Sequence, residues 1–308
     1  MNNHNLSKKQ EILSYTAAFI FILLMVATAV HFADREVILP EIAAMAVAIF
    51  AFREQSWMRQ PEKIFILPSL TAIIGFSINF LEIPYGMKLV AVLILMLILM
   101  YSFRYSLPPA LATGFLPIVS QAHSFSFLAA ILSTTAVLMV SVYIFRLNKG
   151  SDRKSTIDSR TLLLYFGILV AWVAIATVLG YGQMAIIPPV AVVTYESLSM
   201  KMYSIKIALK QIAVLFLSAS IGVFFFLTVN NWLIVSVADL LFMYLMLKLF
   251  KMHVPAVYAF PFLAFILPKE VISVLSFAAL GMSIFSFGTI LIYRQYADKM
   301  ISKISDLK

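Results

Sequence analysis

Long apolar segments separated by short polar connectors constrain this chain more than any other feature of its sequence. Residues 13–32, 128–145, 162–179 and 271–293 are close to or above the ~20 helical residues that cross a bilayer core. Hydrophobic residues make up 62% of the chain, well above the roughly 45–50% of soluble domains. A single soluble core cannot bury so much apolar sequence. We therefore predict an all-α, polytopic helical membrane protein.

The connectors between the apolar segments carry most of the basic residues. Twelve segments are expected, at 11–32, 37–52, 64–81, 88–103, 107–121, 125–145, 162–180, 185–200, 207–229, 232–249, 254–268 and 271–293. If all of them cross with both termini inside, every Lys and Arg except Arg35, Lys88 and Lys269 lies on the inner side. Basic connectors are retained on the cytoplasmic side of membrane proteins. The sequence thus predicts a multi-pass protein of the cell (inner) membrane with both termini cytoplasmic.

A pattern of prolines, a glycine and basic residues occurs twice, about 147 residues apart. The matched positions are Pro40 and Pro188, Arg53 and Lys201, Gly75 and Gly222, Arg104 and Lys251, and the motifs that begin at Ser106 and His253. Such self-similarity indicates a duplicated unit. We predict a first transmembrane repeat at 1–147, a cytoplasmic linker at 148–160 and a second repeat at 161–308. Because the basic connectors also match, we expect two parallel repeats of about six segments each, related by an axis along the membrane normal.

Four segments are shorter than a full membrane span, and each opens with proline. They are 37–52, 107–121, 185–200 and 254–268, and their opening prolines are Pro40, Pro108 with Pro109, Pro188 with Pro189, and Pro255. Proline suits the first turn of a helix, whereas Pro117 and Pro261 inside two of these segments should kink or end a helix. Short helices at matching positions of two halves point to a transporter's binding site. Their N-termini carry a partial positive charge suited to a small anion.

The run Leu107-Pro108-Pro109-Ala110-Leu111-Ala112-Thr113 resembles the His-Pro-Pro-Ala-Gly-Ala-Thr-Ala hallmark of the HPP-family integral membrane proteins. The second copy, His253-Val254-Pro255-Ala256, keeps the histidine and one proline. Arg59-Gln60-Pro61-Glu62-Lys63 is similar to an upstream family element, Ala-Gln-Pro-Arg-Asn. The chain thus looks like a tandem HPP-like protein, and the resemblance implies transport of nitrite. Leu107 in place of the histidine argues against a histidine-dependent step in the first half.

Polar residues within apolar sequence are the other candidates for function. Asp239 lies in mid-segment, where inserting a carboxylate costs about 3 kcal/mol, so it predicts either a proton- or cation-coupling group or a tie to Lys or His on another helix. Glu41 either faces the substrate or simply complements the N-terminus of its helix. His253 opens its segment and is either a substrate ligand or an interfacial residue.

The predicted substrate site lies where the two repeats meet, in a central polar cavity. Its members are Pro40, Glu41, Pro108, Pro109, Thr113, Pro188, Pro189, His253 and Pro255, with Asp239 as the coupling residue. The polarity of the interface between the repeats distinguishes a transporter from a non-transporting scaffold. A hydrated, polar crevice there favours a transporter, and a tightly packed apolar interface favours a scaffold.

The sequence contains no P-loop, HExxH motif or nucleophile elbow, and its four histidines lack the spacing of metal ligands. We therefore expect no cofactor, no metal and no enzymatic activity. The first prediction is a secondary transporter or channel for a small solute, with a small inorganic anion such as nitrite as the leading candidate. A non-transporting scaffold or accessory subunit is the alternative, followed by a membrane-embedded lipid-modifying enzyme. The expected partners are the bilayer and the anion, with no nucleic acid, and a homo-oligomer is compatible with the sequence.

Overall fold

The computed structural model describes residues 7–149 and 157–305, and within these ranges the regular structure is helical, with no strand. Within the described ranges, eight helices are long and apolar enough to cross a membrane. They are α1 (Lys8–His31), α4 (Pro61–Asn79), α5 (Tyr85–Phe103), α7 (Phe125–Ile144), α8 (Ser159–Val178), α10 (Ile205–Thr228), α11 (Trp232–Phe250) and α14 (Leu275–Ser305). The prediction of an all-α polytopic membrane protein is confirmed.

Four shorter helices alternate with the long ones and are buried among them. They are α2 (Pro40–Phe50), α6 (Pro109–Val119), α9 (Pro188–Ser199) and α12 (Phe260–Ile266), the last preceded by a 3-10 turn at Pro255–Tyr258. One-turn helices α3 (Gln55–Met58) and α13 (Lys269–Ile272) complete the set. With a rise of 1.5 Å per residue, even α9, the longest of the four at 12 residues, is only about 18 Å long, against a hydrocarbon core of about 30 Å. All twelve predicted apolar segments thus form helices, but four cover only part of the membrane.

Two hydrogen bonds fix the depth of α2 beside the first span. The backbone N–H of Leu39, just before α2, donates to the Met25 sulfur at 3.4 Å. Beyond the other end of α2, the Arg53 guanidinium donates to the Ser14 hydroxyl at 3.2 Å. Met25 and Ser14 are eleven residues apart in α1, or about 16 Å along its axis. The short helix therefore lies beside the central part of α1, and its N-terminus is sunk below the end of that span.

The order of elements in the first half recurs in the second. In each half a long helix packs on the last short helix, α4 on α6 and α10 on α12. Contacts between the halves also occur in matched pairs. The helix α1 packs on α11 as α5 packs on α8, and α6 packs on α9 as α2 packs on the turn Pro255–Tyr258. Such reciprocal contacts are typical of an approximate two-fold relation.

The predicted domain division remains a prediction in two respects. Residues 150–156, most of the predicted linker 148–160, lie outside the described residues. The direction of the repeat axis relative to a bilayer, and hence the parallel arrangement, also stays a prediction.

Two glycines at matched positions let the long helices approach the short ones closely. A Cβ atom at Gly75 in α4 would lie 1.9 Å from the carbonyl oxygen of Gly114 in α6. A Cβ atom at Gly222 in α10 would lie 2.4 Å from the Cα of Pro261 in α12. Backbone contact at this distance requires a residue without a side chain. The repeated glycine therefore positions α6 and α12 against their neighbours.

The two prolines expected inside short helices behave differently. Pro117 lies inside α6, two residues before its end at Val119. Pro261, in contrast, lies in the first turn of α12, and the helix is broken before it at Ala259. The first turn tolerates proline because the missing N–H would have no intrahelical acceptor there. The expectation that Pro261 kinks or ends a helix is therefore confirmed, since the segment divides just before it into a 3-10 turn and α12.

Candidate functional site

A small cavity lies between the two halves, where the first turns of the short segments meet. Its lining residues are Glu41, Ala44, Trp57, Pro109, Ala112, Pro189, Val192, Ala256 and Ala259. Glu41 and Ala44 come from α2, and Pro109 and Ala112 from α6. The second half supplies residues from the start of α9 and from the segment that leads into α12. The proline-opened starts of all four short segments thus converge on one site.

The lining is arranged in pairs related by the repeat. Glu41 matches Pro189 in the first turns of α2 and α9, and Ala44 matches Val192 at the start of the second turns. Because both members of each pair line the cavity, the cavity lies close to the approximate two-fold axis.

The histidine–proline motif alone would pair Pro109 with Pro255, but the contacts of Gly75 with Gly114 and of Gly222 with Pro261 fix the offset one residue further along. In that register Pro109 matches Ala256 and Ala112 matches Ala259, and all four residues line the cavity. Trp57 breaks the pattern, because it comes from α3, and residues 200–204 at the matching place form no helix.

The cavity is narrow and almost entirely apolar. Its volume of about 10 Å³ is the space that a single water molecule needs. Proline carries no N–H, so Pro109 and Pro189 present ring carbons to this space instead of hydrogen-bond donors. The polar character expected of a central cavity is reduced to the Glu41 carboxyl and the Trp57 indole.

Glu41 is the most unusual member of the lining. Its side chain is 2% exposed, and neither carboxyl oxygen has a hydrogen-bond partner among the described residues. As the second residue of α2, it lies where backbone N–H groups lack intrahelical acceptors. A buried charge without a partner is costly, whereas a neutral carboxylic acid can be accommodated and can donate a hydrogen bond.

The remaining predicted prolines flank the lining residues. Pro40 and Pro188 are the first residues of α2 and α9, and Pro108 precedes α6 as its N-cap. Pro255 opens the 3-10 turn and adjoins Ala256. The structure thus brings together the starts of all four segments that the sequence singled out.

Thr113 is adjacent in sequence to the cavity-lining Ala112 but serves a different contact. Its hydroxyl oxygen lies 2.7 Å from that of Thr71 in α4, and it donates to the Ala110 carbonyl at 3.0 Å. Thr113 therefore belongs to the contact between α4 and α6 and does not line the central cavity.

His253 lies in a separate, open cleft between α1 and α11. This cleft has a volume of about 240 Å³ and is lined by Glu11, Tyr15, Tyr244, Leu247, Lys248, Lys251, Met252 and His253. The Tyr15 and Tyr244 rings pack edge to face at 4.8 Å, and His253 packs against Phe52 at 5.3 Å. The predicted site is therefore divided, with His253 in the cleft and the proline-opened starts around the central cavity.

Asp239 is buried in α11 and lines neither of these two cavities. It is 1% exposed, and its carboxyl oxygens have no hydrogen-bond partner in the part of the chain that the structure describes. The alternative role of Asp239, an ion pair with Lys or His on another helix, is thus not observed among the described residues. Its coupling role stays a prediction.

Six residues line the cavity but are absent from the predicted site: Ala44, Trp57, Ala112, Val192, Ala256 and Ala259. Ala44, Ala112 and Val192 each lie three residues, about one helical turn, after a predicted member of the site. The repeat offset carries the signal for Ala256 and Ala259, because it maps Pro109 and Ala112 onto them. For Trp57 no such signal exists, because α3 is present in one half only. In the ranges 7–149 and 157–296, where side chains are described, no group of three or more His, Asp or Glu residues is placed to hold a metal ion.

Comparison with known proteins gives a match to a family of membrane proteins. Residues 3–155 match the family model of the HPP transmembrane region, and this match covers the first repeat with its proline-opened segments. Neither a curated protein nor a solved structure matches the chain. The resemblance seen in the proline motif is thereby confirmed. Residues 3–155 thus assign the first repeat of this chain to the HPP family of integral membrane proteins.

Proposed function

We propose that this protein is a secondary transporter of a small inorganic anion, with nitrite as the first candidate, and that the anion binds in the central cavity. The observation that carries the proposal is the convergence of four short-segment starts around a single unpartnered carboxyl, Glu41, near the repeat axis. Membrane transporters built from repeats place substrates at such interfaces, between short or broken helices.

The electrostatics of helix ends supports a small anion as substrate. The first turns of α2, α6 and α9 contribute residues to the cavity. The aligned peptide dipoles of a helix give its first turn a partial positive charge. Such a site attracts an anion without burying a lysine or arginine, and the cavity lining contains neither among the described residues.

The size of the cavity determines what kind of transport is proposed. A space of about 10 Å³ admits about one water molecule, so an anion enters only when the halves move apart on one side. The interface between α2 and the turn Pro255–Tyr258, together with its counterpart between α6 and α9, would open in this movement. Alternating access between two such arrangements is the expected mechanism.

The scaffold alternative is favoured by the narrow and largely apolar seam. Glu41 weighs against it, because a scaffold has no use for a buried carboxyl that lacks a hydrogen bond. We expect no enzymatic activity. A lipid-modifying enzyme would need several acid–base groups at one face, whereas Glu41 is the one titratable group in the described lining.

Uptake by proteoliposomes tests the proposal. The purified full chain is reconstituted, and the entry of nitrite, nitrate, formate and chloride is compared with entry into empty liposomes. Ala112→Leu fills the cavity and should abolish uptake. Ala129→Leu adds the same atoms at an exposed position of α7 and should retain it. If the unmodified protein moves none of these anions, the scaffold alternative is favoured.

A further inference from the structure

We propose that Glu41 is a proton-binding site and that the transporter carries its anion together with a proton bound there. This inference rests on the proposed anion transport and adds its coupling ion. Its starting point is a carboxyl group at the repeat axis with both oxygens buried and unpartnered among the described residues.

Among the described residues that line the cavity, no charged side chain takes the place of the proton. The titratable side chains on the elements packed against α2 are Lys8, Lys9, Glu11, Tyr15 and His31 of α1, Tyr143 of α7 and Tyr258 of the 3-10 turn. None of these lines the cavity, whose other described members are alanines, prolines, a valine and Trp57. An ionised Glu41 would therefore lack a compensating charge in the closed arrangement, and a bound proton supplies the neutrality.

The proton also decides whether an anion can share the cavity. When the halves move apart and an anion enters, it lies next to Glu41, and an ionised carboxylate there would repel it strongly. The protonated group is neutral, and its O–H donates a hydrogen bond to an oxygen of the anion. Proton and anion enter from one side, and both are released when the carboxyl ionises on the other. No electrons are transferred.

The pairing of the lining residues sets the stoichiometry. The position matched to Glu41 is Pro189, which cannot ionise, so one proton binds per cycle. Asp239 is equally buried, but it lies outside the cavity lining and cannot contact an anion bound there. With a monovalent anion such as nitrite, transport should therefore be electroneutral.

The test measures nitrite and proton entry together. Proteoliposomes of the full chain enclose the pH-sensitive dye pyranine, and nitrite is added outside. Empty liposomes give the passive entry of nitrous acid, which is subtracted. The unmodified protein should acidify the lumen as nitrite enters. Glu41→Gln keeps a hydrogen-bond donor but binds no proton. It should take up nitrite only when valinomycin and K⁺ compensate the charge, without acidification.

Matched variants make the assignment specific to this carboxyl. Glu82→Gln makes the same chemical change at an exposed position between α4 and α5 and should behave like the unmodified protein. Asp239→Asn is expected to retain acidification. If Asp239→Asn loses acidification while Glu41→Gln retains it, the proton-binding residue is Asp239 and the proposal is overturned.

Two further outcomes would overturn the proposal. One is nitrite entry through the unmodified protein without acidification, and the other is acidification by Glu41→Gln at the unmodified rate. If Glu41→Gln is inactive, infrared spectroscopy of the detergent-solubilised protein decides. The carbonyl band of a protonated carboxylic acid should be weaker in Glu41→Gln, and an unchanged band rejects the assignment. If the unmodified protein moves no nitrite, the proposed transport function itself fails. The infrared measurement does not depend on transport, so it still tests whether Glu41 binds a proton.

Discussion

The hydroxyl oxygens of Thr71 and Thr113 lie 2.7 Å apart and join α4 to α6. At the matching place in the second half, the Ser218 hydroxyl donates directly to the Val257 carbonyl at 2.6 Å. The position that matches Thr113 is Phe260, which has no hydroxyl to stand between them. In both halves, a hydroxyl at the same position of the long helix links that helix to the short segment. In the first half the link to the backbone carbonyl passes through the Thr113 hydroxyl, and in the second half it is direct.

Removing this hydroxyl contact should lower stability. Thr71→Val keeps the side-chain shape but leaves the buried Thr113 hydroxyl with one contact fewer, at an expected cost of about 1 kcal/mol. Thermal unfolding in detergent measures the effect. Thr228→Val provides the control, because that hydroxyl is exposed and donates within its own helix. Equal melting temperatures for the two variants would contradict the role assigned to Thr71.

The close approach of α4 and α6 predicts a large effect of a single methyl group. Gly75→Ala places a Cβ 1.9 Å from the Gly114 carbonyl oxygen, so the helices must separate, and we expect loss of the monodisperse folded protein. Gly167→Ala makes the same change in α8, where nothing lies within 4 Å. There, the higher helix propensity of alanine should stabilise by up to about 1 kcal/mol. Fluorescence-detected gel filtration after heating compares them, and a Gly75→Ala profile like that of Gly167→Ala would refute the contact.

Two basic residues at matched positions end long helices in the left-handed conformation. Arg104 has φ 48° after α5, and Lys251 has φ 53° after α11. This conformation costs an L-residue about 1–2 kcal/mol, which glycine avoids. Arg104→Gly and Lys251→Gly should each raise the melting temperature, whereas Lys248→Gly inside α11 should lower it. A fall in all three would show that the basic side chains stabilise more than the backbone is strained.

The positive-inside pattern predicts the orientation of the chain. Reporter fusions at Lys149 and after Lys308 should both report the cytoplasmic side, because the connectors near these positions are basic. A periplasmic signal at Lys149 alone would mean an odd number of crossings in the first half, and the parallel arrangement of the repeats would then be abandoned.

Local chemistry explains which features of this fold could be predicted. Apolar length defines the spans, and proline at Pro40, Pro109 and Pro188 marks helix starts, because both signals are present in the segment itself. Tertiary packing decided the rest. The break before Pro261 follows from proline itself, but the close contact between Pro261 and Gly222 comes from packing that no local signal reveals.

The same limit applies to the candidate site. The positions of the proline-opened segments were readable, but the narrowness of the cavity depends on side chains from both halves. Thr113 was expected to face the cavity because it is polar, yet its hydroxyl is satisfied by Thr71. His253 was grouped with the prolines by sequence proximity, although the chain places it in the cleft beside Lys251. Polarity and proximity in sequence do not reveal which way a helical residue faces.

The pairing of Glu41 with Pro189 has a consequence for how a tandem chain differs from a dimer of single repeats. Two identical subunits would place the same residue on both sides of the axis, so ionisable groups there could occur only in even numbers. Two carboxyls in so small a space would share protons and titrate as a pair. Joining the copies in one chain lets their sequences diverge, which permits an odd number of charges at the centre of an otherwise symmetric interface.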